Sequence, residues 1–404
     1  MIKIGKVDKK LFLPILGGIL YLPFYLIREK TELQNHYIIF GICSSFGMFL
    51  AIIPLLISRI LMKRSMANKI EKNKSKSSND IEIPLIYNKS TEEIKRFKFI
   101  FIFFSSLTDF TQSLLAIIVY DESIIINFWV IDIIFLSLLS YKLLNIEIYR
   151  HQILSMILII IFGIIMDLSY GSLKEFFHNI GYFLLRIFCE FFFSLSQILN
   201  KYSMDIKFSP PYEVCVFIGM YTFFFYLIGL FISSNLPCNH KFCVVEDEKS
   251  NNNYFDNFKL YTNKINGKEM IYFVLEMILL GLINILNILT IKYFNPCYSI
   301  IILVIGRIVL IIRQFFIEIK TRDIVNIFIL ILIFLVLLLY AEIIELNFCG
   351  IHKNTKENIE KRGDLEVEKD CIQTESINSD EDNNENIENS EPSSYESSIL
   401  SSNF

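Results

Sequence analysis

The chain has 404 residues, of which 53% are hydrophobic and 20% charged; its mean hydropathy is +0.48 and its formal net charge −4. So apolar a composition excludes a water-soluble enzyme of two or three ordinary domains and favours a bilayer-embedded domain with polar appendages. The near-zero charge balance offers nothing for a nucleic-acid partner. Ten strongly apolar stretches follow a basic N-terminal segment, 1–10. They cover 11–27, 37–61, 97–119, 123–143 and 149–168, then 178–198, 212–233, 269–292, 296–318 and 323–346. Most reach the roughly 20 residues that a helix needs to cross a ~30 Å hydrocarbon core. The first follows a basic start as a signal peptide would. It lacks a small-residue cleavage site and contains Pro14 and Pro23, so it reads as a signal anchor that stays as the first span.

The stretches form two sets of five related by a shift of about 171 residues, and Ile146-Glu147-Ile148 falls on Ile317-Glu318-Ile319 under that shift. Five is odd, so the second set is inverted relative to the first. The predicted fold class is therefore an all-α integral membrane protein of ten transmembrane helices in two inverted five-helix repeats, 11–168 and 178–346. Such repeats place a solute site near mid-membrane, where the halves meet. Lysines and arginines crowd 1–10 and 62–96, which predicts cytoplasmic N- and C-termini.

Three segments interrupt the pattern. The Lys/Asn/Ser-rich loop 65–92 and the acidic tail 353–404 have too little apolar content to offset ordering entropy and are expected to be disordered. The long loop 234–268 carries Cys238 and Cys243 around His240. On a non-cytoplasmic loop that spacing favours a disulfide, with two free thiols left open. Two Cys and one His fall short of the four ligands of structural zinc, so no metal site is expected. No cofactor motif, zincin, nucleophile elbow or phosphate-cradling loop appears, and no enzymatic activity is expected.

Polar residues at membrane depth carry whatever chemistry there is, because an ionised side chain at mid-bilayer costs about 2.5–3.5 kcal/mol to insert and normally faces a cavity or a partner. The ionisable candidates are Asp109, Asp132, Arg186, Glu190, Glu276 and Arg307. Ser105, Asp109 and Gln112 share one helical face in the third stretch, and Arg186, Glu190, Ser194, Gln197 and Lys201 share one in the sixth. Glu276, Asn284 and Asn287 do so in the eighth, and Ser299, Arg307 and Gln314 in the ninth. From these the predicted solute- or proton-binding set is Asp109, Gln112, Glu190, Gln197, Glu276, Asn284 and Arg307, bordering one central cavity. A structural reading stays open for each charge: Arg186 and Glu190, four residues apart, can neutralise one another, and Arg307 can pair with an acid to lock helices. Four acids against two bases suit a cationic or zwitterionic solute, or a titrating proton.

Several short motifs carry a resemblance. Tyr149-Arg150-His151-Gln152 opens the fifth stretch. Ser194-Leu195-Ser196-Gln197-Ile198-Leu199-Asn200-Lys201-Tyr202 with Ser209-Pro210-Pro211-Tyr212-Glu213 joins the sixth to the seventh, and Leu107-Thr108-Asp109-Phe110 lies in the third. In these the chain resembles the drug/metabolite transporter superfamily (ten-helix EamA-like carriers), near its chloroquine-resistance-transporter-like and nucleotide-sugar-transporter-like branches. The resemblance implies a secondary transporter that moves a small polar organic solute across an endomembrane by alternating access, with proton coupling or exchange. Asn200 and Lys201 depart from the basic-then-acidic pair of the first branch. No lysine-bearing ninth-span motif of the second is present, although Arg307 can supply that charge. A nucleotide-sugar antiporter stays open, as does a non-transporting receptor or scaffold. The expected partners are the lipid bilayer and a small solute, with a homodimer left open.

Overall fold

The computed structural model describes residues 2–4, 11–28, 37–61, 64, 87–120, 128–170, 180–207, 209–234, 267–317 and 321–346. Apart from one short ribbon and brief connecting turns, they are helical. Helix α1 (Phe12–Ile19) and helix α2 (Tyr21–Arg28) divide the first apolar stretch at Leu20. The break has a local cause: Pro23 has no N–H to donate back toward Ile19, so the ladder is interrupted there. Helix α3 (Tyr37–Met48) runs through the 3-10 turn Phe49–Ala51 into a further helical stretch over 52–61. Then come α4 (Tyr87–Tyr120), the 3-10 turn Phe128–Ile131, α5 (Asp132–Leu144) and α6 (Arg150–Tyr170). The second half holds α7 (Ile180–Asp205), α8 (Pro211–Ser234), α9 (Gly267–Tyr293), α10 (Ser299–Ile317) and α11 (Thr321–Tyr340).

Among the described residues, six segments are long and apolar enough to cross a membrane: Ile38–Leu61, Phe99–Ala116, Phe183–Asp205, Pro211–Ser233, Gly267–Tyr293 and Pro296–Arg313. Phe12–Arg28, Arg150–Met166 and Ile324–Tyr340 are apolar but shorter. Helix α5 has 13 residues, roughly 20 Å at 1.5 Å each, and does not bridge the hydrocarbon by itself. Its end is set by Asn145, which takes a left-handed conformation (φ 52°) that asparagine tolerates better than most residues. Large apolar side chains point outward, Phe231 at 73% and Phe12 and Phe328 at 62% exposure, as suits a multi-pass helical protein bathed in lipid.

Helix α4 begins at Tyr87, inside the loop 65–92 expected to be disordered, so residues 87–92 belong to a helix instead. Glu92, Glu93, Lys95 and Arg96 are good helix formers and carry the apolar helix out into a polar extension. Cys238, Cys243 and the tail 353–404 lie outside the described residues.

Packing mixes the two halves of the chain. Helix α3 lies against α8 and α9, α4 against α7 and α8, α5 against α7, α1 against α9 and α10, and α6 against α11. Small residues permit the closest crossings. A Cβ at Gly281 of α9 would overlap the backbone of Gly47 on α3, and one at Gly219 of α8 would meet the Ser45 carbonyl of α3 at 2.9 Å. This is the small-residue packing that membrane helices use in place of a hydrophobic driving force.

One end of the bundle is tied by polar contacts. Strand β1 (Ile2–Ile4) pairs antiparallel with β2 (Ile344–Leu346), with Ile2 opposite Leu346. The Tyr298 hydroxyl donates to the Ala341 carbonyl (3.0 Å), His151 Nε2 lies 3.1 Å from a Glu342 carboxylate oxygen, and Ser140 Oγ reaches Asn295 Oδ1 (3.4 Å). Lys201 of α7 donates to the carbonyls of Lys292 (3.0 Å) and Phe294 (2.8 Å), while Lys292 of α9 donates to the Met204 carbonyl (3.0 Å). Both ammonium groups also bond Asp205, each at 3.0 Å. Each helix thus caps the other's C-terminal end with a cation, where exposed carbonyls and the dipole favour positive charge. The chain's start, the α5–α6 junction, the ends of α7 and α9, and the end of α11 therefore share one face.

Candidate functional site

A cavity of about 320 Å³ lies among α3, α4, α7, α8 and α9. Helix α3 supplies Phe40, Gly41, Ser44, Ser45 and Met48, and α4 supplies Asp109, Gln112, Ser113 and Ala116. From the second half come Phe193, Ser196, Gln197 and Asn200 of α7, Ile218, Thr222 and Tyr226 of α8, and Asn284, Asn287 and Ile288 of α9. The wall alternates amides and hydroxyls with aromatic and aliphatic surface. Among the described residues it contains one charged residue, Asp109, and no lysine or arginine.

The polar wall is largely pre-bonded, which fixes its geometry. Asn287 Nδ2 donates to Gln197 Oε1 (3.2 Å), and Ser105 Oγ donates to Asn200 Oδ1 (2.6 Å), joining α9 to α7 and α4 to α7. Ser45 Oγ donates to Thr222 Oγ1 (3.0 Å), linking α3 to α8 one turn from the Gly219 crossing. Three hydroxyls return to their own helices, Ser45 to the Gly41 carbonyl (2.8 Å), Thr222 to the Ile218 carbonyl (2.7 Å) and Ser113 to the Asp109 carbonyl (3.0 Å). Among the described residues the half-buried Asp109 carboxylate has no ion-pair partner. An acid left unneutralised in a cavity at membrane depth is where a cationic group gains most.

Of the seven residues picked out by sequence, Asp109, Gln112, Gln197 and Asn284 come together on this wall, and Glu190, Glu276 and Arg307 do not. Glu190 is buried one to two turns along α7 from the wall and pairs with Arg186. Glu276, 1% exposed, sits on α9 facing Cys43 of α3. Arg307 is half-buried on α10, which packs against α1, α2 and α11 rather than against the cavity helices α4, α7 and α8. Sequence reasoning passed over Ser44, Ser45, Thr222, Tyr226 and Asn200. The first three are hydroxyls in the middle of apolar runs, a usable signal. Asn200 extends the α7 stripe by three residues from Gln197. Tyr226, one tyrosine among 20, gave none. Among the described residues no group of three or more His, Cys, Asp and Glu could hold a metal ion.

In comparisons with known proteins, no family model matches the chain and no characterised protein is similar enough to count as a relative.

Proposed function

We propose that this protein is a secondary carrier for a small cationic or zwitterionic organic solute, built as ten helices in two inverted five-helix repeats. The observation that carries the reading is the cavity: both halves line it, and Asp109 is its one charged residue. At about 320 Å³ it stands at the small end of ligand sites, the size of an amino acid or simple amine rather than a nucleotide sugar. With no lysine or arginine among the described residues of its wall, it offers less for diphosphate recognition, so the nucleotide-sugar reading is the weaker one. A receptor or scaffold gives no reason for an unneutralised acid among fixed amides at membrane depth.

The helix pairings support the repeat. Exchange α1 and α2 with α7, α3 with α8, α4 with α9, α5 with α10 and α6 with α11, as the 171-residue shift matches them. Three neighbouring pairs then map onto neighbouring pairs: α1 beside α10 becomes α7 beside α5, α1 beside α9 becomes α7 beside α4, and α3 beside α9 becomes α8 beside α4, whereas α10 packs against α11 more closely than α5 does against α6. The pairs α3–α8 and α6–α11 map onto themselves. The shared face of both chain ends agrees with an even number of crossings, and its segments are those the lysine and arginine bias assigns to the cytoplasm. On this reading, α5 and its preceding turn make a short span, and the halves rock about the cavity. An endomembrane location follows from the resemblance alone.

The test is uptake by the purified protein in liposomes, with amino acids and small amines in one panel and nucleotide sugars in another. Uptake from the first panel, lost in Asp109→Asn while the protein stays folded, is the expected result. Uptake confined to nucleotide sugars would overturn the solute class, and parallel loss of stability and uptake in Asp109→Asn would sink the site.

A further inference from the structure

Two amides on α7 line the cavity with their oxygens already taken. Gln197 is 4% exposed and Asn200 3%, and they stand one helical turn apart on the wall. Gln197 Oε1 accepts from Asn287 Nδ2 of α9 (3.2 Å), and Asn200 Oδ1 accepts from Ser105 Oγ of α4 (2.6 Å). Ser105 has a single proton, and that contact is much shorter than the 3.2 Å to the Ser196 carbonyl. The side-chain nitrogens of Gln197 and Asn200 are left with no partner among the described residues. Neither nitrogen is sealed in a helix interface, so both open onto the cavity. Amide donors on nearly buried side chains are costly to leave unbonded, and here only a molecule in the cavity can accept from them.

Asp109 sets the charge of that molecule. It lies four residues, about 6 Å, along the same face of α4 from Ser105. Among the described residues it is the one charge on the wall, so a bound ammonium brings the site to zero. A carboxylate on the same solute would restore a net negative charge at membrane depth, facing neutral donors alone.

We propose that the solute is a monovalent organic ammonium that also carries an uncharged oxygen acceptor, as amino alcohols and amino amides do, and no carboxylate. Asp109 takes its ammonium, and the amide nitrogens of Gln197 and Asn200 take its oxygen. The inference rests on the carrier reading and narrows its solute class. One helical turn between the carboxylate and the amides suits a compact solute with a hydrogen bond of about 2.9 Å at each end. Ser105 is a positioning residue. It does not line the cavity, but its bond to Asn200 Oδ1 turns that amide so that nitrogen, not oxygen, meets the solute. Asn287 does the same for Gln197, and Phe193, one turn before Gln197, offers apolar surface to the solute's body.

The experiment is isothermal titration calorimetry of the full-length protein in lipid nanodiscs against two matched sets. One is leucinol, leucinamide, isopentylamine and leucine; the other is phenylalaninol, phenylalaninamide, phenethylamine and phenylalanine. The amino alcohol and amino amide should bind at least about tenfold more tightly than the oxygen-free amine and the amino acid of their set. In Gln197→Met and Asn200→Leu the ratio of oxygen-bearing to oxygen-free affinity should fall toward one. Ser105→Ala should lower that ratio, and Ser105→Thr, which keeps the hydroxyl, should restore it. A role in helix packing alone would weaken every ligand alike and leave the ratio unchanged, which overturns the assignment. The ranking is read on the unmodified protein, whatever the variants' folding. An amino acid that binds more tightly than its amino alcohol, or an oxygen-free amine that binds as well, overturns the proposal and leaves the carrier reading. No binding by any member of either set removes the proposal together with the solute class on which it rests.

Discussion

Replacing Lys201 by methionine isolates the clasp between α7 and α9. The Lys201 side chain is only 10% exposed and donates to two carbonyls, of Lys292 (3.0 Å) and Phe294 (2.8 Å), besides Asp205. Hydrogen bonds to charged groups contribute about 1.5–3 kcal/mol each, and the buried carbonyls left behind lose their donor. The Asp205 bond adds at most ~1 kcal/mol, because that carboxylate is 38% exposed and screened by solvent. Methionine keeps the apolar stem packed, which offsets part of the loss. The net expectation for Lys201→Met is about 3 kcal/mol of stability. Lys292 reaches one carbonyl and Asp205 from a 31% exposed position, so Lys292→Met should cost only about 1 kcal/mol. The double variant should lose less than the sum, since both cations share Asp205. Unfolding in mixed micelles titrated with sodium dodecyl sulfate, followed by circular dichroism, measures all three. Equal midpoints for Lys201→Met and the parent, or a larger loss in Lys292→Met, would refute the reciprocal-cap account.

The glycine crossing makes a second prediction. Gly281→Ala should lower stability by at least the roughly 1–3 kcal/mol typical of overpacking, because the added carbon meets the Gly47 backbone rather than a movable side chain, whereas Gly267→Ala, with open space around it, should be close to neutral. Detergent unfolding midpoints compare the two. Topology is checked by labelling single cysteines in sealed vesicles: positions in 1–10 and 341–346 should react from the same side, and labelling from opposite sides would break both the ribbon and the even number of crossings. In the long loop, Cys238 and Cys243 should react with thiol reagents only after reduction; labelling without reductant removes the disulfide.

How much of this was legible in the sequence depended on whether the signal was local. Hydropathy placed the long apolar helices, because insertion into lipid depends on each segment's own composition. It missed the break at Leu20 and the polar start of α4, where the backbone consequence of Pro23 and the helix propensity of a Glu/Lys/Arg run act against the hydropathy boundary. The α7 stripe was visible as one face, yet its meaning was not. A helix rises about 1.5 Å per residue, so Arg186 and Lys201 lie some 22 Å apart along α7 and meet different neighbours. Arg186 and Glu190 meet Asp132 of α5, Gln197 and Asn200 meet the cavity, and Lys201 meets the end of α9. Periodicity reports that a face is polar; it carries no information on which helix covers each turn.

The same limit explains why the seven sequence-chosen residues divide between the cavity wall and its surroundings. Asp109 and Gln112 face the cavity because α4 lies between α7 and α8, while Arg307 is carried by α10, which joins the bundle on the side of α1, α2 and α11. Both assignments follow from long-range packing, set by close approaches such as Gly47 to Gly281 and by cross-helix bonds such as Ser45 to Thr222, 177 residues apart in the chain. The two acids singled out on α4 and α7 consequently acquire different chemistry from the same residue class. Asp109 faces open volume with no cationic neighbour among the described residues, which suits reversible capture of a positively charged solute. Glu190 is buried and pairs with Arg186 one turn back on its own helix, which suits a charge held in place for packing.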